Sequence, residues 1–318
     1  MHRQRCVLRY HPSSGGGPMT TGRKLKLDLG DVQETMLWTL YHRATEARDP
    51  ETVLHDPWAV QLVETIEYPF EKRFGTPTAG QAQWQALRAR CFDEEIRRFL
   101  ARHPDGTVVA LGEGLETQFS RVDNGRVHWL SVDLPEVIEV RRRLRPDDAP
   151  RQRSLACSVL DDRWMTGLDG SRGLLVTARG LLMYLRPTQV HGLIAACAER
   201  LPGGALLFDA VPSWLSRRST LTPRRTPTGY RFPPWLWGVD AGETARLQAL
   251  HPNIVDIREI RPPRGRGPVY RFLVPLIGTV PGVRGRKVMS IMIVRFGPSG
   301  APAPSRAIPP DPPDLPRR

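Results

Sequence analysis

The sequence is poor in features that would point away from an ordinary globular enzyme. Only four cysteines occur in 318 residues, Cys6, Cys91, Cys157 and Cys197, and no two form a C-x-x-C pair. That spacing offers neither a zinc site nor a disulfide framework, so no metal is expected and a reducing, cytoplasmic setting is. No apolar run approaches the roughly 20 residues a membrane helix needs, and the basic N-terminus lacks the apolar core of a secretory signal; no membrane partner is expected. Acidic residues are also few, 33 against 46 lysines and arginines, a net charge of +13. Such an excess attracts phosphate. Yet the arginines are spread along the whole chain without a nucleic-acid-binding module, which speaks against that partner.

What is present is a hydrophobic content of 40% over a length able to bury a sizeable core. Residues 1–22 are rich in glycine, serine and basic residues and read as a disordered leader; residues 297–318 are dominated by proline and read as a tail. The stretch 23–296 is expected to form one domain. Its first part, 23–103, has helical periodicity around Met36, Leu37 and Leu40 and again around Leu87, Ile96 and Phe99. After Pro104 short apolar runs ("TVVALG", "RVHWLSVD", "RSLACSV", "GLLVTARG", "ALLFDAV") alternate with helical segments, the pattern of a wound parallel sheet over 104–211. An insertion over 212–268 follows. The last two apolar runs, "VYRFLVPL" and "KVMSIMIVRF", have no helix between them and predict an antiparallel terminal hairpin over 269–296. The expected fold is therefore α/β, Rossmann-like, with a seven-stranded mostly parallel sheet, extra N-terminal helices and an inserted lid, the arrangement of class I methyltransferases.

"LGEGLE" ends the first run, placing Gly112 and Gly114 at a strand's carboxyl end, and Asp133 ends the second. A separation of 19 to 21 residues between loop glycine and acid suits a carboxylate that grips a ribose. A dinucleotide fingerprint would want a third glycine where Thr117 stands, and Glu113 and Glu116 would crowd a pyrophosphate. S-adenosylmethionine combines an adenosine with an ammonium and a sulfonium, and so tolerates nearby carboxylates. A mere tight turn at Gly112 and Gly114, and a helix-capping aspartate at 133, are the plainer alternatives.

The motifs "LGEGLETQFSRV", "VDLPEVIEVRR", "SVLDDRW" and "VTARGLLMYL", in that order, resemble the leucine carboxyl methyltransferase family and within it the polyketide O-methyltransferase-like branch. The resemblance covers most of residues 30–296. It implies S-adenosylmethionine as cofactor and methyl transfer to an oxygen of a small-molecule acceptor. It further implies that Arg88 holds the cofactor's methionine carboxylate, that Gly112, Gly114, Asp133 and Leu134 form the loop and ribose site, and that Leu160 and Asp161 flank the adenine, with Asp162 an alternative to Asp161. Arg43 matches the family's helical arginine near the pocket, although a solvated arginine is equally compatible with its position.

Two departures from the family bear on the site. Glu116 and Gln118 replace an aspartate and an arginine in the glycine turn. Arg179 stands where the family commonly has glutamate beside the cofactor; its charge would oppose the cofactor's positive groups unless it swings away or meets Glu113 or Glu116. A methyltransferase-like binding module with weakened or lost catalysis is therefore a rival reading, and a nicotinamide-dependent oxidoreductase a more distant one. On the acceptor side the insertion carries Trp214, Tyr230, Phe232, Trp235 and Trp237 and could close as a lid over an aromatic or acyl acceptor. Tyr184, Trp214 and Trp235 are the substrate candidates. His42 is the one histidine worth weighing as a base, and a packed role fits it better; no base is assigned.

Overall fold

The structure is a computed structural model that describes residues 25–26, 31–144, 150–273 and 289–298. The expected leader and all but the start of the expected tail lie outside the described residues. Before the sheet come β1 (Leu25–Lys26), α1 (Asp31–Ala47), α2 (Pro57–Thr65), β2 (Ile66–Glu67), α3 (Phe70–Phe74) and α4 (Ala79–Arg102). Pro57 opens α2 behind an Asp56 cap, and Thr78 and Gln81 close a reciprocal capping box at the start of α4, each satisfying orphan N–H groups of a first turn. Leu37, Leu40 and Ala44 of α1 pack on Leu62 of α2 and on Phe70 and Phe74 of α3.

The sheet is built from β3 (Thr107–Leu111), β4 (His128–Asp133), β5 (Gln152–Ala156), β6 (Leu174–Ala178), β7 (Ala205–Ala210), β8 (Ile254–Ile260) and β9 (Ser290–Phe296), in the order β5-β4-β3-β6-β7-β9-β8. Crossovers run through α5 (Gln118–Val122), α6 (Pro135–Leu144) and α7 (Pro187–Arg200), while α8 (Ser213–Leu221) and α9 (Ala241–Ala249) belong to the inserted segment. β3 pairs in parallel with β4 and β6, and β9 pairs antiparallel with both β7 and β8. The strands are apolar on both faces because helices cover both. Val109, Val176 and Phe208 face a core with Ile194 of α7 and Trp164, and Val108, Ala110 and Leu207 face one with Phe92, Ile96 and Phe99 of α4.

The expected seven-stranded, mostly parallel sheet with an antiparallel end is present. The partner in its terminal hairpin differs from expectation. Val269–Leu273 forms a π-helical turn, with the Tyr270 hydroxyl donating to the Gly80 carbonyl at 2.8 Å, and β9 pairs instead with Ile254–Ile260. That strand, "IVDIREI", carries Asp256, Arg258 and Glu259 because it lies on the sheet edge with much of its surface in water, so it shows no apolar run. The segment expected as an insertion up to 268 thus contributes its last strand to the sheet.

Candidate active site

β3 lies between β4 and β6, and the chain winds outward from it in both directions, so a crevice opens at the carboxyl ends of these strands. β3 runs into Gly112 and Gly114 at φ of +58° and +54°, a region a side chain enters only at a cost. Space is equally demanding. A Cβ on Gly112 would sit 2.8 Å from Leu181 Cδ1, and one on Gly114 would sit 3.1 Å from Met36 Cβ. Asp133 closes the loop from the next strand: its Oδ2 accepts from the Gly114 N–H and its Oδ1 from the Leu134 N–H, both at 2.8 Å. Burial raises the Asp133 pKa despite these two donors.

The two glutamates of the loop do not face open space. Glu113 meets Arg141 at 3.1 Å, and Arg141 also donates to the Gly114 carbonyl at 2.5 Å. Glu116 is the centre of a buried cluster: its carboxylate lies 2.8 Å from Arg43 Nη1, 2.8 Å from Arg121 Nη2, and in contact with Arg179. Arg121 further reaches Asp93 at 2.7 Å and Asp56 at 2.9 Å. Arg179 therefore does meet one of the glutamates foreseen for it. The carboxylates of the loop are neutralised from within the protein, and their tolerance does not depend on a cationic ligand. Arg43 is buried rather than solvated. Thr117, where a dinucleotide loop would carry glycine, is buried and donates to Asp56 at 2.7 Å.

Arg88, on α4, lies across the crevice with its Nε 2.5 Å from Asp209 Oδ2 and its Nη1 donating to Gln85 at 2.8 Å. Asp209 in turn accepts from the Gly180 N–H at 2.6 Å. A Cβ on Gly180 would fall 2.7 Å from Arg88 Nη2, so the absent side chain leaves room for the guanidinium.

These residues border a cavity of about 490 Å³, within the size range of small-molecule sites; Arg88, Gly112, Gly114, Asp133, Leu134, Arg179, Tyr184 and Trp235 all line it. Three candidates do not. Leu160 and Asp161 sit on the outside of the turn after β5, where Asp161 caps the 3-10 turn Asp162–Met165 and pairs with Arg163. The wall there is formed by Ser158 and Val159 instead, because the chain stays with the sheet through Cys157, whose N–H donates to the Asp133 carbonyl. Asp162 pairs with Arg200 at the surface. Trp214 lies at the start of α8 with 43% of its surface exposed and does not border the cavity.

The inserted segment covers the other half of the cavity. Trp235 has its backbone fixed on both sides, its N–H donating to Ser219 Oγ at 2.8 Å and its carbonyl accepting from Ser216 Oγ at 2.9 Å. Phe232 meets Trp38 of α1 edge-on at 5.3 Å. Arg224 lies over both the Trp235 and the Phe232 rings, its guanidinium carbon 3.3 Å from the Trp235 ring centroid and 4.7 Å from that of Phe232. Trp38 and Arg224 were not candidates from sequence; an arginine among prolines carries no signal until the loop folds over the crevice. His42 is buried outside the cavity wall with its Nδ1 2.7 Å from the Trp38 carbonyl, and burial lowers its pKa to about 4.

The leucine carboxyl methyltransferase family model matches residues 36–198. The chain is 37% identical over 227 residues to the tetracenomycin polyketide synthesis O-methyltransferase TcmP of Streptomyces glaucescens, an alignment covering 71% of this chain and 81% of that one. It is 29% identical over 205 residues to the S-adenosyl-L-methionine-dependent methyltransferase dpfgK of Gibberella zeae, covering 59% and 68%. Among solved structures, a chain from Thermobifida fusca described as a methyltransferase aligns with a TM-score of 0.48 at 17% identity, covering 81% of this chain and 94% of that one. A family match across half of the sequence, on a sheet whose strand ends converge on one cavity, makes this chain a member of the leucine carboxyl methyltransferase family.

Proposed function

We propose that the protein is an S-adenosylmethionine-dependent O-methyltransferase acting on a carboxyl or hydroxyl group of a small polyketide-like or other secondary metabolite. The observation that carries this reading is the convergence of the glycine loop, Asp133 and Arg88 on one cavity. The donor set fits the cofactor. The Asp133 carboxylate has spent one lone pair on each backbone donor and keeps further acceptor capacity for ribose hydroxyls. Leu134 and Val159 offer apolar contact to an adenine, and the Nη2 of Arg88 beside Gly180 is suited to a carboxylate. Bound there, S-adenosylmethionine would supply an electrophilic methyl group for in-line displacement.

The chain's own contribution is alignment and exclusion of water. The loop residues between Leu181 and Met36 hold the cofactor wall, and Trp235, Phe232 and Trp38 enclose the acceptor half. Among the described lining residues no histidine is present, and the carboxylates are Glu113, Glu116 and Asp133, each already held by arginines or backbone N–H groups. The rival reading of a disabled site drew on an unopposed charge at Arg179; its contact with Glu116 removes that motive. Isothermal titration with S-adenosylhomocysteine tests the proposal. Binding by the wild type, weakened at least about tenfold by Asp133→Ala through loss of charge-assisted hydrogen bonds, is the expected result. Absence of heat with the wild-type protein would refute it.

A further inference from the structure

The acceptor half of the cavity holds a cation whose surroundings are aromatic. Arg224 lies over the Trp235 and Phe232 rings, and Phe232 N–H donates to the Arg224 carbonyl at 2.9 Å, so the two side chains leave one short hairpin together. The guanidinium is within hydrogen-bonding reach of the Tyr184 hydroxyl. No carboxylate pairs with it among the described residues. Two N–H groups, Arg224 Nε and Trp235 Nε1, are buried without a hydrogen-bond partner among the described residues, and both side chains line the cavity. Buried donors left unpaired are costly and uncommon.

Stacking offsets some of the cost of burying a guanidinium, but it leaves the in-plane N–H groups unsatisfied. The group that would satisfy them is an oxyanion in the plane of the guanidinium. Burial lowers the Arg224 pKa only to about 10, so the group is a cation at neutral pH. Among the described residues that line the cavity there is no histidine, and its three carboxylates, Glu113, Glu116 and Asp133, belong to the loop side and are already engaged.

We propose that Arg224, together with the Trp235 indole N–H, is a specificity-determining seat for an acceptor that arrives already ionised: a planar molecule bearing a carboxylate or an acidic phenolate. This rests on the methyltransferase reading of the site and narrows it, because a neutral alcohol would leave the guanidinium without a counter-charge. With an oxyanion no proton has to be removed. Its lone pair forms the new O–C bond as the C–S pair returns to sulfur, and a neutral ester or ether is left facing the arginine, which favours its departure.

The test is calorimetry at pH 8.5 on protein first titrated with S-adenosylhomocysteine, so that cofactor binding is read separately from the acceptor seat. The probes are 2-naphthoate, 4-nitrophenolate and the neutral 2-naphthamide, against wild type, Arg224→Gln and Trp235→Phe, with thermal melts to verify folding. The expected result is binding of at least one anionic probe by the wild type, at least about tenfold tighter than naphthamide, lost to a similar degree in Arg224→Gln and partly in Trp235→Phe. Naphthoate alone would assign a carboxylic acid and nitrophenolate alone a phenol, either of which supports the seat. Naphthamide bound as tightly as the tighter of the two anionic probes, no anionic probe bound by wild type, or unchanged anion binding in a folded Arg224→Gln protein would overturn it. A failure of S-adenosylhomocysteine to bind, with the anion selectivity intact, would instead strike the cofactor reading alone.

Discussion

Replacing Glu116 by glutamine should destabilise the protein through electrostatics with little change of shape. The carboxylate sits 2.8 Å from Arg43 and 2.8 Å from Arg121 and touches Arg179, and all four side chains are close to fully buried. Glutamine keeps one acceptor oxygen, loses the charge and turns an NH₂ toward a guanidinium. Removing one partner from a buried ion pair costs about 3–5 kcal/mol. Arg43 and Arg121 keep Asp56, and Arg121 also keeps Asp93, so the lower end applies, about 3 kcal/mol. At roughly 2–4 °C per kcal/mol for a domain of this size, the melting temperature should fall by about 6–12 °C. The partner in the cycle is Arg179→Met. Burial and the nearby Arg43 and Arg88 hold the Arg179 pKa well below its ordinary value, so losing this cation should cost less than losing Glu116. In the double variant, Glu116→Gln should then cost about 1–2 kcal/mol less than alone. Denaturant titrations of the four proteins measure this. A Glu116→Gln loss below about 1 kcal/mol, or additive effects, would refute the shared-carboxylate account.

His42 carries a pH signature. Its pKa falls from 6.5 to about 4 on folding, so the neutral form is the native one; its contribution is complete above pH 6.5 and is lost as pH drops toward 4, amounting to about 3 kcal/mol at about 1.4 kcal/mol per decade. Urea titrations across that window should show His42→Gln losing correspondingly less stability than wild type. Gly112→Ala combines a positive φ with a contact 2.8 Å from Leu181; a cost of about 2 kcal/mol and weaker S-adenosylhomocysteine binding are expected, by guanidinium chloride melts and calorimetry. Trp214→Ser, by contrast, should change stability by no more than about 0.5 kcal/mol and leave ligand binding unaltered.

Much of the fold was legible because each element announced itself locally. Residues 108–111, 174–178 and 206–208 are apolar runs that only a sheet covered on both faces accommodates, and "PEVIEVRRRL" begins with proline where α6 begins. The edge strand Ile254–Ile260 escaped because half of it faces water, and "VYRFLVPL" misled because an apolar run of that length suits a strand and a buried helical turn equally. At the site, the loop glycines and Asp133 were readable from their spacing along one βαβ unit. Leu160 and Asp161 were displaced by the one or two residues by which a chain can overrun its strand before turning.

The sequence by itself determined the sheet, the glycine loop and its acid, and the family, since these follow from periodicity and from residue types at short separations. Only the tertiary structure decided what becomes of the charges. Arg179 and Glu116 are 63 residues apart in the chain, and whether an arginine there opposes a ligand or neutralises a glutamate depends on which strand ends lie side by side. The same holds for Arg224 over Trp235 and Phe232, whose meaning comes from a loop folding over a cavity that other elements build. Coulomb energy in a low-dielectric interior depends on distance and burial, and neither is written in the order of residues.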